Sequence, residues 1–156
     1  MIVVADTSPI NYLLLIGQLE LLPRLFEQII LPDAVCAEMQ NPYAPPALRH
    51  WIANPPDWVT VQQVTETDVT LAELGEGEKA AITLAVMLRA DFLIIDERLG
   101  RRAAEERGLQ VIGVIGVLDN AVTQGWIDLD ETIAKLRATN FRISKKLIQS
   151  LQRRHR

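Results

Sequence analysis

Phe92-Leu93-Ile94-Ile95-Asp96 is the stretch that decides the fold. Four consecutive apolar residues, closed at once by an acid, read as a short strand buried on both faces. A long helix leads into it from about Glu78 to Arg89, with Ala81, Ile82, Leu84, Ala85 and Leu88 at helical spacing, after a break at Gly75-Glu76-Gly77. A charged helix leads away from it, from Glu97 to Arg107, and stops at Gly108 before another apolar run, Gln110 to Val114. The N-terminus repeats the pattern. Ile2 to Ala5 reads as a buried strand and Asp6 follows it; Ser8 is a good N-cap, Pro9 suits a first helical position, and the helix should run to about Ile16.

Between these two regions, Leu19 to Glu27 reads as a short helix and Gln28 to Leu31 as a strand. Pro32-Asp33 opens a helix that carries Glu38 and ends before Pro42. Ala47 to Ala53 reads as helical, and Trp58 to Val64 as an edge strand or an extended segment. Helices are expected again over Gly116 to Thr123, Leu129 to Arg137 and, capped by Ser144, Ser144 to Arg154. Strands alternating with helices imply an α/β fold around a mainly parallel sheet covered on both faces.

A chain of 156 residues with 49% hydrophobic content fits one globular domain over residues 1–156. The lone Cys36 rules out a disulfide within the chain and fits a reducing compartment, hence a cytoplasmic location. The longest apolar runs, Tyr12 to Ile16 and Val111 to Leu118, fall far short of the roughly 20 residues that cross a bilayer, so no membrane association is expected. The start of the chain lacks the basic region of a secretory signal. The net charge is −4, unevenly spread: the stretch from Arg137 to Arg156 holds seven basic residues and no acid, leaving nine basic against 20 acidic residues elsewhere. A basic C-terminal helical segment on an acidic body can hold a polyanion, or it can be a solvated helix face.

Asp6 and Asp96 each follow a strand directly, and in an open parallel sheet sites form outside the carboxyl ends of the strands. Glu38 and Glu78 lie in helices that can lean over the same edge. Each acid also has an ordinary explanation: Asp6 starting its helix, Asp96 as an N-cap, Glu78 favoured in a first helical turn, Glu38 as one more exposed helical residue. The signal is the set of four. Brought together, they cannot all stay ionised unaided, since like charges raise one another's pKa. A divalent cation resolves the conflict, and all-oxygen ligands favour Mg²⁺ or Mn²⁺; His50, His155 and Cys36 are scattered and form no zinc cluster. Other chemistries are poorly served: there is no G-x-S-x-G elbow, and Gly75-Glu76-Gly77-Glu78-Lys79 lacks the Walker spacing.

The chain resembles the PIN-domain nucleases from end to end. The resemblance rests on Val3-Val4-Ala5-Asp6-Thr7-Ser8, on Glu38 in the helix after the second strand, on Gly77-Glu78-Lys79-Ala80-Ala81-Ile82 opening a helix, and on Leu93-Ile94-Ile95-Asp96. Leu74 to Glu78 and Gly108 to Leu118 are similar to a bacterial and archaeal PIN-like subfamily of poorly known function. The resemblance implies a three-layer α/β/α sandwich with about five strands, and Mg²⁺- or Mn²⁺-dependent cleavage of RNA by Asp6, Glu38, Glu78 and Asp96 as catalytic residues and metal ligands. Ser8, and less directly Thr7, would support Asp6. It implies a homodimer and either the toxin half of a toxin–antitoxin pair, with a small antitoxin protein as partner, or a housekeeping RNA-processing nuclease; a catalytically weak interaction module is the reading from another class. Many toxin relatives carry Asp where Glu78 stands and Thr where Ile94 stands. Candidate RNA contacts are Arg98, Arg101 and Arg102, which follow Asp96 on its helix, and Lys145 and Lys146 in the basic segment.

Overall fold

The computed structural model describes residues 1–156. Five strands form one sheet: β1 (Val3–Ala5), β2 (Ile29–Pro32), β3 (Val59–Gln62), β4 (Phe92–Ile94) and β5 (Val111–Ile112). All pairings are parallel, in the order β3-β2-β1-β4-β5. Val3, Val4 and Ala5 of the central strand are wholly buried, as a strand covered on both faces requires. Trp58 to Val64 contains the edge strand β3, whose Thr60 and Val61 are exposed.

Period-two alternation sorts the strand side chains into two layers. Val3, Ala5, Ile29, Leu31, Ile94 and Ile112 face a core filled from α1 (Thr7–Leu15), α2 (Leu21–Phe26), α3 (Asp33–Gln40), α4 (Pro46–Ala53) and α7 (Val114–Thr123). Val4, Leu93 and Ile95 face the other way, onto α5 (Glu76–Leu88) and α6 (Arg98–Glu106). The protein is therefore a three-layer α/β/α sandwich. Small residues make the second layer thin: α5 buries Gly77, Ala80, Ala81 and Ala85 beside Ile82 and Leu84, and α6 buries only Gly100 and Ala104. The last helices, α8 (Leu129–Arg137) and α9 (Lys145–Arg154), close on each other through Ile133, Ile148 and Leu151, with Ile115 of α7 against them. Ser144 caps α9 by accepting from the Leu147 N–H at 3.1 Å, as its sequence position suggests.

Four helix starts differ from the sequence reading by two residues: α2 begins at Leu21 and α7 at Val114 rather than at Leu19 and Gly116, and α1 and α5 begin earlier than read. The N-cap of α1 is Asp6, with extended backbone, and Ser8 lies inside the first turn. The N-cap of α5 is Gly75, so the helix begins at Glu76, two residues before Glu78. A 3₁₀ turn, Val69–Leu71, was also not anticipated; Asp68 caps it by accepting from the Thr70 N–H. No helix is long and apolar enough to cross a membrane.

Candidate active site

The chain passes from β1 outward to β2 and β3, then returns to place β4 on the other side of β1. That reversal opens a crevice at the carboxyl ends of β1 and β4, the usual ligand position in such sheets. Asp6 leaves β1 on one side of it and Asp96 leaves β4 on the other; the two strands pair with Ala5 against Ile94, and the Asp6 N–H donates to the Ile94 carbonyl at 2.9 Å. Glu38 reaches the crevice from α3, whose inner face is anchored by Val35, Cys36 and Met39. Glu78 reaches it from the first turn of α5. Asp6, Thr7, Ser8, Asn11, Glu38 and Glu78 line a cleft of about 330 Å³, together with Glu97 and a wall of Ala44, Pro45 and Leu48. A larger cleft of about 420 Å³ around Thr70, Leu99, Arg102 and Arg107 holds none of the four acids.

Backbone N–H groups seat Asp6, Glu78 and Asp96, and a hydroxyl seats Glu38. The Thr7 hydroxyl donates to Glu38 Oε1 at 3.0 Å, and a Cβ on Gly77 would overlap the Glu38 carboxylate. The Gly75 N–H donates to Glu78 Oε1 at 3.4 Å, and a Cβ on Gly100 would come within 2.7 Å of Glu78 Oε2. The Val114 N–H donates to both oxygens of Asp96, at 3.2 and 3.3 Å, and a Cβ on Gly113 would overlap that carboxylate and approach Arg101 Nη1. Gly77 and Gly100 lie in the first turns of α5 and α6, and Gly113 is the N-cap of α7. The acids thus meet the N-termini of α1, α5, α6 and α7, whose unsatisfied N–H groups and dipoles favour negative charge.

That support does not cancel the burial. Asp6 is 5% exposed, and desolvation pushes its carboxyl from 3.8 up to about 7. The Thr7 N–H opposes the rise, while the charges of Glu78, Glu38 and Asp96 add to it. Burial also raises Glu78, against the pull of the Gly75 N–H and with the charges of Glu97 and Glu38. Burial raises Asp96 too, opposed by the Val114 N–H and by the Arg101 guanidinium. Two buried oxygens lack a hydrogen-bond partner, Glu78 Oε2 and Asn11 Oδ1.

These features fit a divalent cation. The donors are all oxygen, one buried carboxylate oxygen is orphaned, and cation charge relieves the cost of ionising Asp6, Glu78 and Asp96 together. No three acids are already closed into a ligand set. Asp6 and Asp96 flank the crevice; Glu38 and Glu78 stand opposite.

Among the supporting residues, Thr7 makes the hydrogen bond to an acid, while Ser8 is exposed on the cleft wall. Of the arginines on α6, Arg101 lies beside Asp96, Arg98 is exposed, and Arg102 pairs with Glu106 at 3.4 Å in the larger cleft. Lys145 and Lys146 are exposed at the start of α9. Asn11 and the three glycine seats escaped the sequence reading. A glycine inside a charged helix, as in Arg98-Leu99-Gly100-Arg101, was the available signal, since it costs about 1 kcal/mol relative to Ala and marks a close approach.

The architecture is shared with a solved structure, a PilT N-terminus domain protein from the hyperthermophilic archaeon Sulfolobus solfataricus P2, at 18% identity and a TM-score of 0.60, over 78% of this chain and 93% of that one. No curated protein matches the chain. A family model described as a PIN domain matches residues 2–156, and the chain belongs to the PIN-domain family.

Proposed function

We propose that the protein is an endoribonuclease that hydrolyses RNA phosphodiester bonds with Mg²⁺ or Mn²⁺ held by Asp6, Glu38, Glu78 and Asp96. Membership of a family whose members are generally nucleases using divalent metals supports this. The observation that carries it is one cleft lined by Asp6, Glu38 and Glu78, with Asp96 leaving the neighbouring strand close enough for its charge to act on Asp6, and with Glu78 Oε2 buried and unpartnered.

The bound cation would supply the positive charge that a phosphodiester transition state needs and that the acids lack. Asp6 and Asp96 would hold it from the two strand ends. The Val114 N–H fixes Asp96, and the Thr7 hydroxyl fixes Glu38. Glu38, exposed at the mouth, takes the proton from the attacking water. Water oxygen bonds to phosphorus, the bond to the 3′ oxygen breaks in line, and that oxygen takes a proton from bulk water as it leaves, while Glu38 returns its proton to solvent. The products carry 5′-phosphate and 3′-hydroxyl ends. Glu78, whose Oε2 is buried and unpartnered, would offer the cation a further oxygen.

A role as the toxin of a toxin–antitoxin pair, with a small antitoxin and a homodimeric state, belongs to the same proposal; co-purification from the native host and light scattering test it. The chemistry is tested by calorimetric Mn²⁺ titration and RNA cleavage with wild type and Asp96→Asn. Binding and cleavage lost together support the reading. Cleavage unaffected by Asp96→Asn contradicts it, and an absence of both cation binding and cleavage in wild type favours an interaction module.

A further inference from the structure

We infer that a basic groove over α8 and α9 holds the phosphate backbone of a single RNA strand that continues into the acid site, an inference that rests on the nuclease reading above. One cation among four acids leaves the crevice a poor binder of a long polyanion, so protein cations elsewhere add to substrate affinity. A cleft of about 650 Å³ is lined by Arg137, Phe141, Arg142, Ile143, Ser144 and Leu147. Lys145 and Lys146 stand at its edge in the chain. Arg137, Arg142, Lys145 and Lys146 are all exposed, and none is within ion-pair distance of a carboxylate; of the acids near this segment, Asp119 is taken by Arg154 at 3.0 Å and His155 at 2.6 Å, and Asp130 accepts from Gln152 at 3.1 Å.

The placement runs against local stability. The first turn of α9 holds two lysines and no acid, although a helix N-terminus disfavours positive charge. Helix dipole, two lysines and two arginines therefore add positive potential around one groove. Its apolar wall, with Leu147 38% exposed, suits bases as the cations suit phosphates.

Two packing contacts run beneath the surface between the elements that carry the groove and those that carry the acids. Asn11 lines the acid cleft, and its neighbour Tyr12 donates to Asn140 at 2.7 Å and meets the Phe141 ring edge-on at 5.0 Å. Ile115 packs against Ile133, Ile148 and Leu151, and its neighbour Val114 holds Asp96. The exposed apolar wall beside the cations, which suits stacked bases, favours a nucleic-acid strand over an acidic protein partner.

The test uses the full chain in EDTA, so that binding is read without cleavage, with a labelled oligouridylate and a polyglutamate peptide as probes over a range of salt. The variant replaces Arg137, Arg142, Lys145 and Lys146 together by Ala. These side chains are exposed, and removing two lysines from the N-terminus of α9 offsets the loss of Arg137 from the last turn of α8, so the thermal midpoint should hold within a few degrees. Each neutralised phosphate of a single strand contributes about −0.7 to the slope of log K against log salt, so four contacts give about −2.8. The variant's slope should be shallower by about that much, and its affinity at low salt at least roughly ten-fold weaker, while Lys145→Arg with Lys146→Arg keeps both. An unchanged slope and affinity in the folded variant overturns the groove. So does a loss confined to polyglutamate. Cleavage by wild type with Mg²⁺ reads the acid site separately: cleavage with a groove-independent KM sinks the groove alone, whereas groove-dependent RNA binding without cleavage sinks the nuclease reading alone.

Discussion

Asp6→Asn should make the protein more stable at neutral pH and inactive. Asp6 is 5% exposed, and its carboxyl is raised from 3.8 to about 7, chiefly by burial. The sign follows from proton linkage. Between these two values the folded state holds a proton that the unfolded state has released, so stability falls as pH rises through the window. Below about pH 4 the group is protonated in both states and contributes nothing; above about pH 7 the full penalty is present. A rise of about three pH units corresponds to roughly 4 kcal/mol at 1.36 kcal/mol per unit, an upper figure for a site that can relax and admit water. Asn is nearly isosteric with the protonated acid and avoids the penalty. Denaturant unfolding of wild type and Asp6→Asn in EDTA, from pH 4 to pH 8, should give curves that nearly coincide at the acid end and separate by about 2–4 kcal/mol at the alkaline end, with the variant more stable. Adding Mg²⁺ should narrow the gap, because the cation stabilises only the form that keeps the carboxylate. A variant less stable than wild type at pH 8, or a gap that does not change with pH, would refute the reasoning.

Other perturbations follow from the glycine seats and from Arg101. Gly77→Ala places a Cβ on the Glu38 carboxylate, which is exposed and can swing away; the helix should gain up to about 1 kcal/mol while cleavage falls at least roughly ten-fold, as unfolding curves and single-turnover rates would show. Gly100→Ala meets Glu78 Oε2 and Ile95 Cδ1, both at 2.7 Å, in a buried setting, so it should cost about 1–3 kcal/mol in urea unfolding. Arg101→Met removes the cation that lowers Asp96; the Asp96 carboxyl should rise further, and the acidic limb of the pH–rate profile should move to higher pH with the fold intact.

What the sequence made legible was local. Phe92 to Ile95 and Ile2 to Ala5 are apolar runs ended by an acid, and both became central strands with the acid at the crevice. Alternation of strand and helix was enough for the layers. Sheet order was not legible, because nothing in chain order says that β4 returns beside β1, and that return is what brings Asp96 across from Asp6. Helix starts were legible only to within two residues: Ser8 has good capping chemistry, but the strand ends at Ala5 and leaves Asp6 as the extended residue. The seats at Gly77, Gly100 and Gly113 are contacts between elements distant in sequence, as is the burial that raises Asp6 and strands Asn11 Oδ1 and Glu78 Oε2. The ordinary explanations of the acids also prove partial. Glu78 does reach back to the Gly75 N–H, yet its second oxygen stays unpartnered; Asp96 caps no helix of its own, since Glu97 holds that position, and turns to Val114 instead.

The most direct measurement is cleavage of a mixed pool of tRNA and single-stranded RNA by purified wild type and Asp6→Asn, each with Mg²⁺, Mn²⁺ or EDTA, followed by end-group analysis of the products. The expected result is cutting by wild type only, with metal only, leaving 5′-phosphate and 3′-hydroxyl ends. Cutting that persists in EDTA or in Asp6→Asn, or products with 2′,3′-cyclic phosphate ends, would contradict hydrolysis at the acid cluster.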